Sequence, residues 1–171
     1  MKKKVWIFNH YATDTMLDHG GRHYWFAKYL TRAGYDVRIF CASTVHDTDI
    51  NFDVGESGYC EKMVDGLKYT LIQTSNYVGN GKSRVKNMYQ FYRRIFRVVK
   101  NYEKPDVIFA SSVHPLTLLA GIKIAKKLGV KCICEVRDLW PESLVEYDII
   151  SRNHIVTKLM YRGERSLYKK A

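Results

Sequence analysis

The pattern that most limits the fold is a strand, a helix and a second strand within the first 42 residues. Residues 5–8 are apolar and β-rich, and residues 37–41 form a second such run. Between them, apolar residues recur at helical spacing and Gly34 ends the segment. The periodic positions are Trp25, Phe26, Tyr29 and Leu30. A strand that returns through a helix needs a right-handed crossover, so this segment predicts a βαβ unit and a parallel sheet.

The same alternation continues to the end of the chain. Strands are predicted at residues 67–72, 106–110 and 130–136, and helices at residues 82–104, 115–127 and 155–170. Pro105 ends the first of these helices, and Gly129 is the predicted C-terminal stop of the second. Residues 43–66 are polar, which predicts a long excursion of the chain between the second strand and the strand at residues 67–72. The chain of 171 residues therefore predicts one α/β domain, Rossmann-like and doubly wound, with a mainly parallel sheet.

Composition excludes several classes of protein. Hydrophobic residues make up 46% and charged residues 26%, which is typical of a soluble globular domain. No apolar run approaches the roughly 20 residues of a membrane span, and the start of the chain has no signal-peptide pattern. The four cysteines have no metal-ligand spacing, so we predict reduced core residues and no metal site. They are Cys41, Cys60, Cys132 and Cys134.

The net charge of +11 predicts an anionic partner, whether nucleic acid, a phosphorylated substrate or a lipid headgroup layer. Basic residues of the helix at 82–104 form one stripe opposite its apolar face. The stripe contains Lys82, Lys86, Arg93, Arg97, Lys100 and Lys104. The apolar face contains Val85, Met88, Tyr89, Tyr92, Ile95, Phe96, Val99 and Tyr102. The stripe is either a solvated outer face or a surface for an anionic membrane. No nucleic-acid-binding motif accompanies the charge, so we expect no nucleic acid partner.

Ligands of open α/β sheets bind beyond the carboxyl ends of the strands, so the loops there are candidate sites. Gly20 and Gly21 precede the first helix and either receive a phosphate on their backbone amides or form a tight turn. The dinucleotide fingerprint is missing, which argues against a nicotinamide cofactor. His10, His23 and His114 either hydrogen-bond a hydroxyl or a sugar phosphate, or pack within their loops.

Residues 135–143 form the most unusual segment. Glu135, Arg137, Asp138 and Glu142 surround Trp140 directly after an apolar strand. A tryptophan stacks on sugar faces while carboxylates and arginine bind hydroxyls, so the segment suits a carbohydrate. The structural alternative is a helix capped by Asp138, with proline in its first turn and an Arg–Glu ion pair.

These stretches resemble the N-terminal domain of glycosyltransferase family 4, and within it the O-antigen and capsule transferases of the fucosamine-transferring type. The similarity covers nearly the whole chain in order, and residues 135–143 are its most specific part. The similar stretches are residues 9–12, 22–34, 79–81, 105–108, 111–116, 120–126, 135–145 and 167–171.

The resemblance implies one half of a GT-B enzyme, in which residues 1–171 hold the acceptor and a C-terminal domain, absent from this chain, holds the nucleotide-sugar. Transfer would retain the anomeric configuration and need no metal or other cofactor. The acceptor would be a lipid-diphosphate-linked sugar at the cytoplasmic face of the inner membrane, in capsule or O-antigen polysaccharide biosynthesis. Because the family's paired glutamates belong to the absent domain, we expect this chain to be inactive alone. The alternative is a non-catalytic binding or regulatory module with a basic docking helix.

The resemblance also implies a role for individual residues. Catalytic positions are His114 and Asp138, and the loop at the donor phosphate is Gly20 and Gly21. Acceptor-binding positions are His10, Tyr11, Arg22, His23, Arg137, Trp140 and Glu142. Positions facing the membrane surface are Lys86, Arg93, Arg97 and Lys100.

Overall fold

The computed structural model describes residues 2–79 and 81–171. Their six strands form one sheet in the order β3-β4-β2-β1-β5-β6. The strands are β1 (Lys4–Phe8), β2 (Asp36–Ala42), β3 (Tyr59–Val64), β4 (Leu67–Ile72), β5 (Val107–Ser112) and β6 (Lys131–Val136). All neighbouring strands pair in parallel except β3, which pairs antiparallel with β4 at one edge.

Within the described residues, six α-helices connect or follow these strands. They are α1 (Ala12–Leu17), α2 (Arg22–Arg32), α3 (Lys82–Val98), α4 (Pro115–Leu128), α5 (Glu142–Glu146) and α6 (Ile155–Tyr168). Gly129 ends α4 in the left-handed conformation (φ 63°), which confirms the predicted stop. Every helix among the described residues is too short or too polar to cross a lipid bilayer.

The four central strands of the sheet, β4, β2, β1 and β5, are buried on both faces, as expected for parallel strands, whereas the outer strands β3 and β6 are only partly buried. Trp6 and Phe8 of β1 pack into one core with α3 and α4, whereas Val5 and Ile7 pack into the other core with α2. Because β1 leads through α2 to β2 on one side, and β5 leads through α4 to β6 on the other, the order of the strands reverses at β1. The predicted Rossmann-like, doubly wound, mainly parallel fold is confirmed.

The predicted apolar face of α2 is wrong. Trp25 is 43% exposed and Tyr29 is 59% exposed, while His23, Tyr24 and Ala27 face the core. The polar rings are buried because each finds a partner: His23 reaches Glu135, and the Tyr24 hydroxyl donates to Asp65 at 2.6 Å. Aromatic residues of α2 line an apolar groove of about 550 Å³ together with Phe109 and Ile133.

Residues 43–66 contain a strand that the sequence pattern did not predict. β3 forms a hairpin with β4, turning at Asp65 and Gly66, which both have positive φ. As the edge strand β3 is only partly buried, and its mixed charged and apolar residues show no alternation. The short helix α1 was likewise not predicted.

The long helix begins where it was predicted, at Lys82, but ends earlier than the predicted residue 104. α3 ends at Val98 and continues as one 3-10 turn, Val99–Asn101. Its buried face is rotated from the predicted one, because Asn87 and Phe91 face the core whereas Val85 and Tyr89 are exposed. All four cysteines are free thiols, as predicted. Only Cys41 is fully buried, and the other three are half-buried rather than core residues. Of the glycine loop at residues 79–81, Asn80 lies outside the described residues.

Candidate functional site

Side chains from four elements meet at the carboxyl ends of β1 and β5, where the strand order reverses. This is the position at which open α/β sheets bind ligands. We refer to the group as the strand-end cluster, which consists of His10, Tyr11, Asn87, His114 and Thr117. Its members come from the loops after β1 and β5, from the second turn of α3 and from the first turn of α4.

His10 is held in one tautomer by Asn87. The Asn87 side-chain amide donates to the Ser75 carbonyl at 2.7 Å and to the Thr44 hydroxyl at 3.0 Å, so its oxygen must be an acceptor. That oxygen lies 2.6 Å from His10 Nε2, which therefore carries the proton. His10 Nδ1 is consequently a bare acceptor, and it is buried without a hydrogen-bond partner.

His114 lies beside His10, with 4.9 Å between the ring centroids. It is 1% exposed, yet neither of its ring nitrogens has a hydrogen-bond partner, and the same is true of the Thr117 hydroxyl. Buried polar atoms are normally satisfied by protein or by an ordered ligand. The four unpartnered atoms of His10, His114 and Thr117 are therefore free to form hydrogen bonds with a bound molecule.

Both histidines of the cluster are neutral at physiological pH. Burial lowers the pKa of His10 to about 3, although its bond to Asn87 acts in the opposite direction. Burial, followed by the neighbouring His10 and Arg84, holds the pKa of His114 well below its usual value. Neutral imidazoles donate and accept single hydrogen bonds, so this pair suits sugar hydroxyls better than a phosphate.

An aromatic wall adjoins the cluster on the side of β2 and β4. Tyr11 stacks on His46 with 4.6 Å between centroids, and the Tyr77 hydroxyl is 2.7 Å from His46 Nδ1. Arg84 donates from Nε to the Tyr11 hydroxyl at 3.1 Å. Asp14 accepts from the His46 backbone amide at 2.9 Å, and burial raises the pKa of its carboxyl group. None of His46, Tyr77, Arg84 and Asp14 was predicted as a site residue.

A second polar group, the carboxylate network, joins α2 to the ends of β1, β5 and β6. Glu135 accepts from Arg22 Nη1 at 2.5 Å, from the Ser111 hydroxyl at 2.5 Å and from His23 Nε2 at 3.1 Å. Asn9 completes the network at the other ring nitrogen of His23, 2.7 Å away. Burial raises the pKa of Glu135, but the three bonds outweigh it and the net shift is downward. Arg22 and His23 therefore bind Glu135 in this structure.

The two loop glycines are placed differently. The Gly20 amide donates to the Thr15 carbonyl at 3.2 Å and is thus occupied. Gly21 has φ 79°, and a Cβ there would lie 2.8 Å from the Thr15 side chain, so glycine is required. Gly21 is also the N-cap of α2, which has no side-chain cap. Gly21 is therefore needed for the backbone conformation at this turn, and a phosphate site at the two glycines stays a prediction.

The segment after β6 lies at the same edge of the sheet. Arg137 and Asp138 are exposed and Trp140 is half-buried. The predicted cap at Asp138 is wrong, because Pro141 is the N-cap of α5 and no side chain caps it. Glu142 forms the expected Arg–Glu ion pair, but with Arg152, and it also accepts from the Tyr161 hydroxyl.

The basic stripe on α3 lies on the outer surface. Lys86, Arg93, Arg97 and Lys100 are all exposed, as the helical spacing predicts. A groove of about 580 Å³ separates this part of α3 from α4, and Lys123 and Lys127 line its other side. Basic residues of both α3 and α4 therefore give this face of the domain a positive charge.

Residues 21–171 match the family described as "Glycosyl transferase 4-like domain". The chain belongs to this family. The match runs from the start of α2 to the end of α6, so it includes His114, Glu135 and Asp138. Membership identifies the chain as a glycosyltransferase domain, and the six-stranded sheet is consistent with one half of a GT-B fold. No curated protein matches the chain.

Proposed function

We propose that this glycosyl transferase 4-like domain is the acceptor-side half of a retaining glycosyltransferase. It transfers a sugar from a nucleotide-sugar to a lipid-diphosphate-linked sugar, in capsule or O-antigen polysaccharide biosynthesis of the fucosamine type. The observation that carries the proposal is the strand-end cluster, with its four buried and unpartnered polar atoms at the switch in strand order.

The cluster supports recognition of hydroxyl groups on a sugar. The bare nitrogen of His10 accepts a hydrogen bond, while neutral His114 offers one donor and one acceptor. Tyr11 lies 6.2 Å from His114 between ring centroids and is itself almost buried, so a sugar that reaches His114 displaces the Tyr11 ring. Asp138, exposed at the end of β6, and the half-buried Trp140 extend the same edge toward the sugar.

The donor diphosphate is proposed to approach the start of α2. The Gly21 amide and the first turn of α2 supply the N–H groups and the positive end of the helix dipole. Most contacts with the nucleotide-sugar are assigned to a C-terminal domain. No metal is included in the proposal.

The basic face of α3 is proposed to bring the domain to an anionic bilayer at the cytoplasmic side of the inner membrane. A basic residue near such a surface contributes about 1 kcal/mol of attraction. Replacing Arg93, Arg97 and Lys100 by glutamate is therefore expected to weaken binding to phosphatidylglycerol vesicles at least about 100-fold at low salt. Co-sedimentation measures this loss.

The matched control carries the same number of reversals away from α3, at Lys2, Lys3 and Lys62, all exposed. Equal weakening by both triple variants would show that net charge alone is responsible. No binding of the unaltered protein to anionic vesicles would contradict the membrane proposal.

The transfer reaction itself is tested with the full-length protein, a panel of nucleotide-sugars and a polyprenyl-diphosphate-linked sugar, in the presence of a metal chelator. We expect one donor to give a product whose anomeric configuration is that of the donor. Absence of product with every donor would favour a non-catalytic binding module instead.

A further inference from the structure

We infer that Glu135 is a positioning residue, which fixes the loop carrying His10 and Tyr11 by acting through His23 and Asn9. The first sign is that Glu135 lies at the end of β6 yet binds residues of two other elements, Arg22 and His23 of α2 and Ser111 of β5. His23, on α2, is 112 positions away in sequence. The inference about position stands on contacts alone, and only its effect on transfer rests on the proposed function.

Each hydrogen bond in the network determines which atom is the donor in the following one, from Tyr11 to Glu135. The Tyr11 backbone amide donates to Asn9 Oδ1 at 3.1 Å, so the other side-chain atom of Asn9, the Nδ2 donor, faces His23. His23 Nδ1 therefore accepts, and the proton of the neutral ring lies on Nε2. That proton is donated to Glu135 Oε2 at 3.1 Å. An acceptor oxygen is therefore required at this end.

Asn9 connects this network to the strand-end cluster, because its backbone and its side chain both form hydrogen bonds within the loop after β1. Its backbone amide donates to the Phe40 carbonyl at 3.1 Å, and its carbonyl accepts from the Ala12 amide at 3.1 Å. His10 and Tyr11 lie between these two anchors. If Asn9 turns its amide over, the Tyr11 N–H faces a donor and the turn that aims both rings opens.

The substitution Glu135→Leu removes both acceptor oxygens while keeping a similar volume. The buried His23 Nε2–H then has no acceptor, so the tautomer of His23 and the orientation of Asn9 are no longer fixed. Glu135→Gln keeps one oxygen for Ser111 and His23 and loses the acceptor for Arg22. A positioning role through His23 therefore predicts that Glu135→Gln largely retains the His23 tautomer and the Asn9 orientation that Glu135→Leu loses.

Nitrogen-15 NMR of the histidine rings tests this inference without any transfer assay. We expect the Nε2–H form of His23 in the unaltered protein and in Glu135→Gln. In Glu135→Leu we expect loss of that signature and a displaced Tyr11 amide signal. Glu61→Gln, which alters a glutamate paired with Arg38 at 3.0 Å, is the control and leaves both signals in place. An unchanged His23 tautomer and Tyr11 amide in Glu135→Leu overturns the inference, even if the melting temperature falls.

In the full-length protein, misplacement of the loop by Glu135→Leu is expected to lower kcat/KM about 10- to 100-fold, mainly through a higher KM for the acceptor. Glu135→Gln recovers most of the activity. Equal losses in both variants would argue against positioning through His23. Inactivity of the unaltered protein would contradict the proposed function, while the NMR result would still decide the role of Glu135.

Discussion

Alanine in place of His114 is expected to lower kcat/KM for sugar transfer by the full-length protein about 100-fold or more. His114 supplies two of the four unpartnered atoms of the strand-end cluster, and no side chain nearby replaces them. Asp138→Asn, which keeps the shape of an exposed side chain but removes its charge, is expected to reduce transfer as well. Initial rates over a range of acceptor concentrations measure both effects.

The control must separate chemistry from packing, because His114 is buried among aromatic rings. His114→Phe keeps a planar ring at this buried position and is expected to be as inactive as His114→Ala but more stable. His154→Ala, at the exposed N-terminus of α6, is expected to transfer normally. Unimpaired transfer by both His114→Ala and Asp138→Asn would remove these two residues from the site, although the chain would remain a member of the family.

Acidification is expected to destabilise the domain through its buried histidines. Burial lowers the pKa of His10 to about 3, against about 6.5 in an unfolded chain. Below that unfolded value the unfolded chain binds a proton that native His10 refuses, so stability is complete above about pH 6.5 and is lost as the pH falls. Between about pH 7.5 and about pH 5, His10 alone contributes a loss of about 2 kcal/mol.

His114 and His23, whose pKa values are also lowered by burial, act in the same direction. Urea unfolding at several pH values measures the slope of the free energy of unfolding. His114→Phe is expected to make this slope shallower, since phenylalanine binds no proton. A free energy of unfolding that stays constant across this pH range would show that the histidines bind protons as readily in the folded as in the unfolded state, and would contradict their lowered pKa values.

The fold was predictable where the sequence pattern has a single physical cause. β1, β2, β4 and β5 are largely buried, β6 is an apolar run that is only partly buried, and glycine or proline ends or begins the helices between the strands. β3 was not predicted because an edge strand does not need alternating apolar and polar residues. α1 was not predicted because its six residues are too few to show a helical repeat of apolar positions. The buried face of α2 was misjudged because His23 and Tyr24 are buried through polar partners distant in sequence.

The candidate site was predictable only in part. His10, Tyr11 and His114 follow strands, and the rule for the carboxyl ends of parallel sheets placed them together. Asn87 and Arg84 were not predicted because they look like ordinary members of an amphipathic helix, and only the docking of α3 on the sheet brings them to His10 and Tyr11. Glu135 was noticed among the charges after β6, but its three partners depend on tertiary contacts that no spacing reveals.

Hydrogen exchange of the full-length protein tests most directly whether the strand-end cluster is the acceptor site. The ligand is a soluble analogue of the acceptor, a sugar on a short-chain prenyl diphosphate, so that membrane contact does not contribute. We predict that backbone amides of residues 9–12 and 111–117 become protected on binding, and that His114→Phe abolishes this protection. Binding that protects another surface and leaves these two loops unchanged would contradict the account.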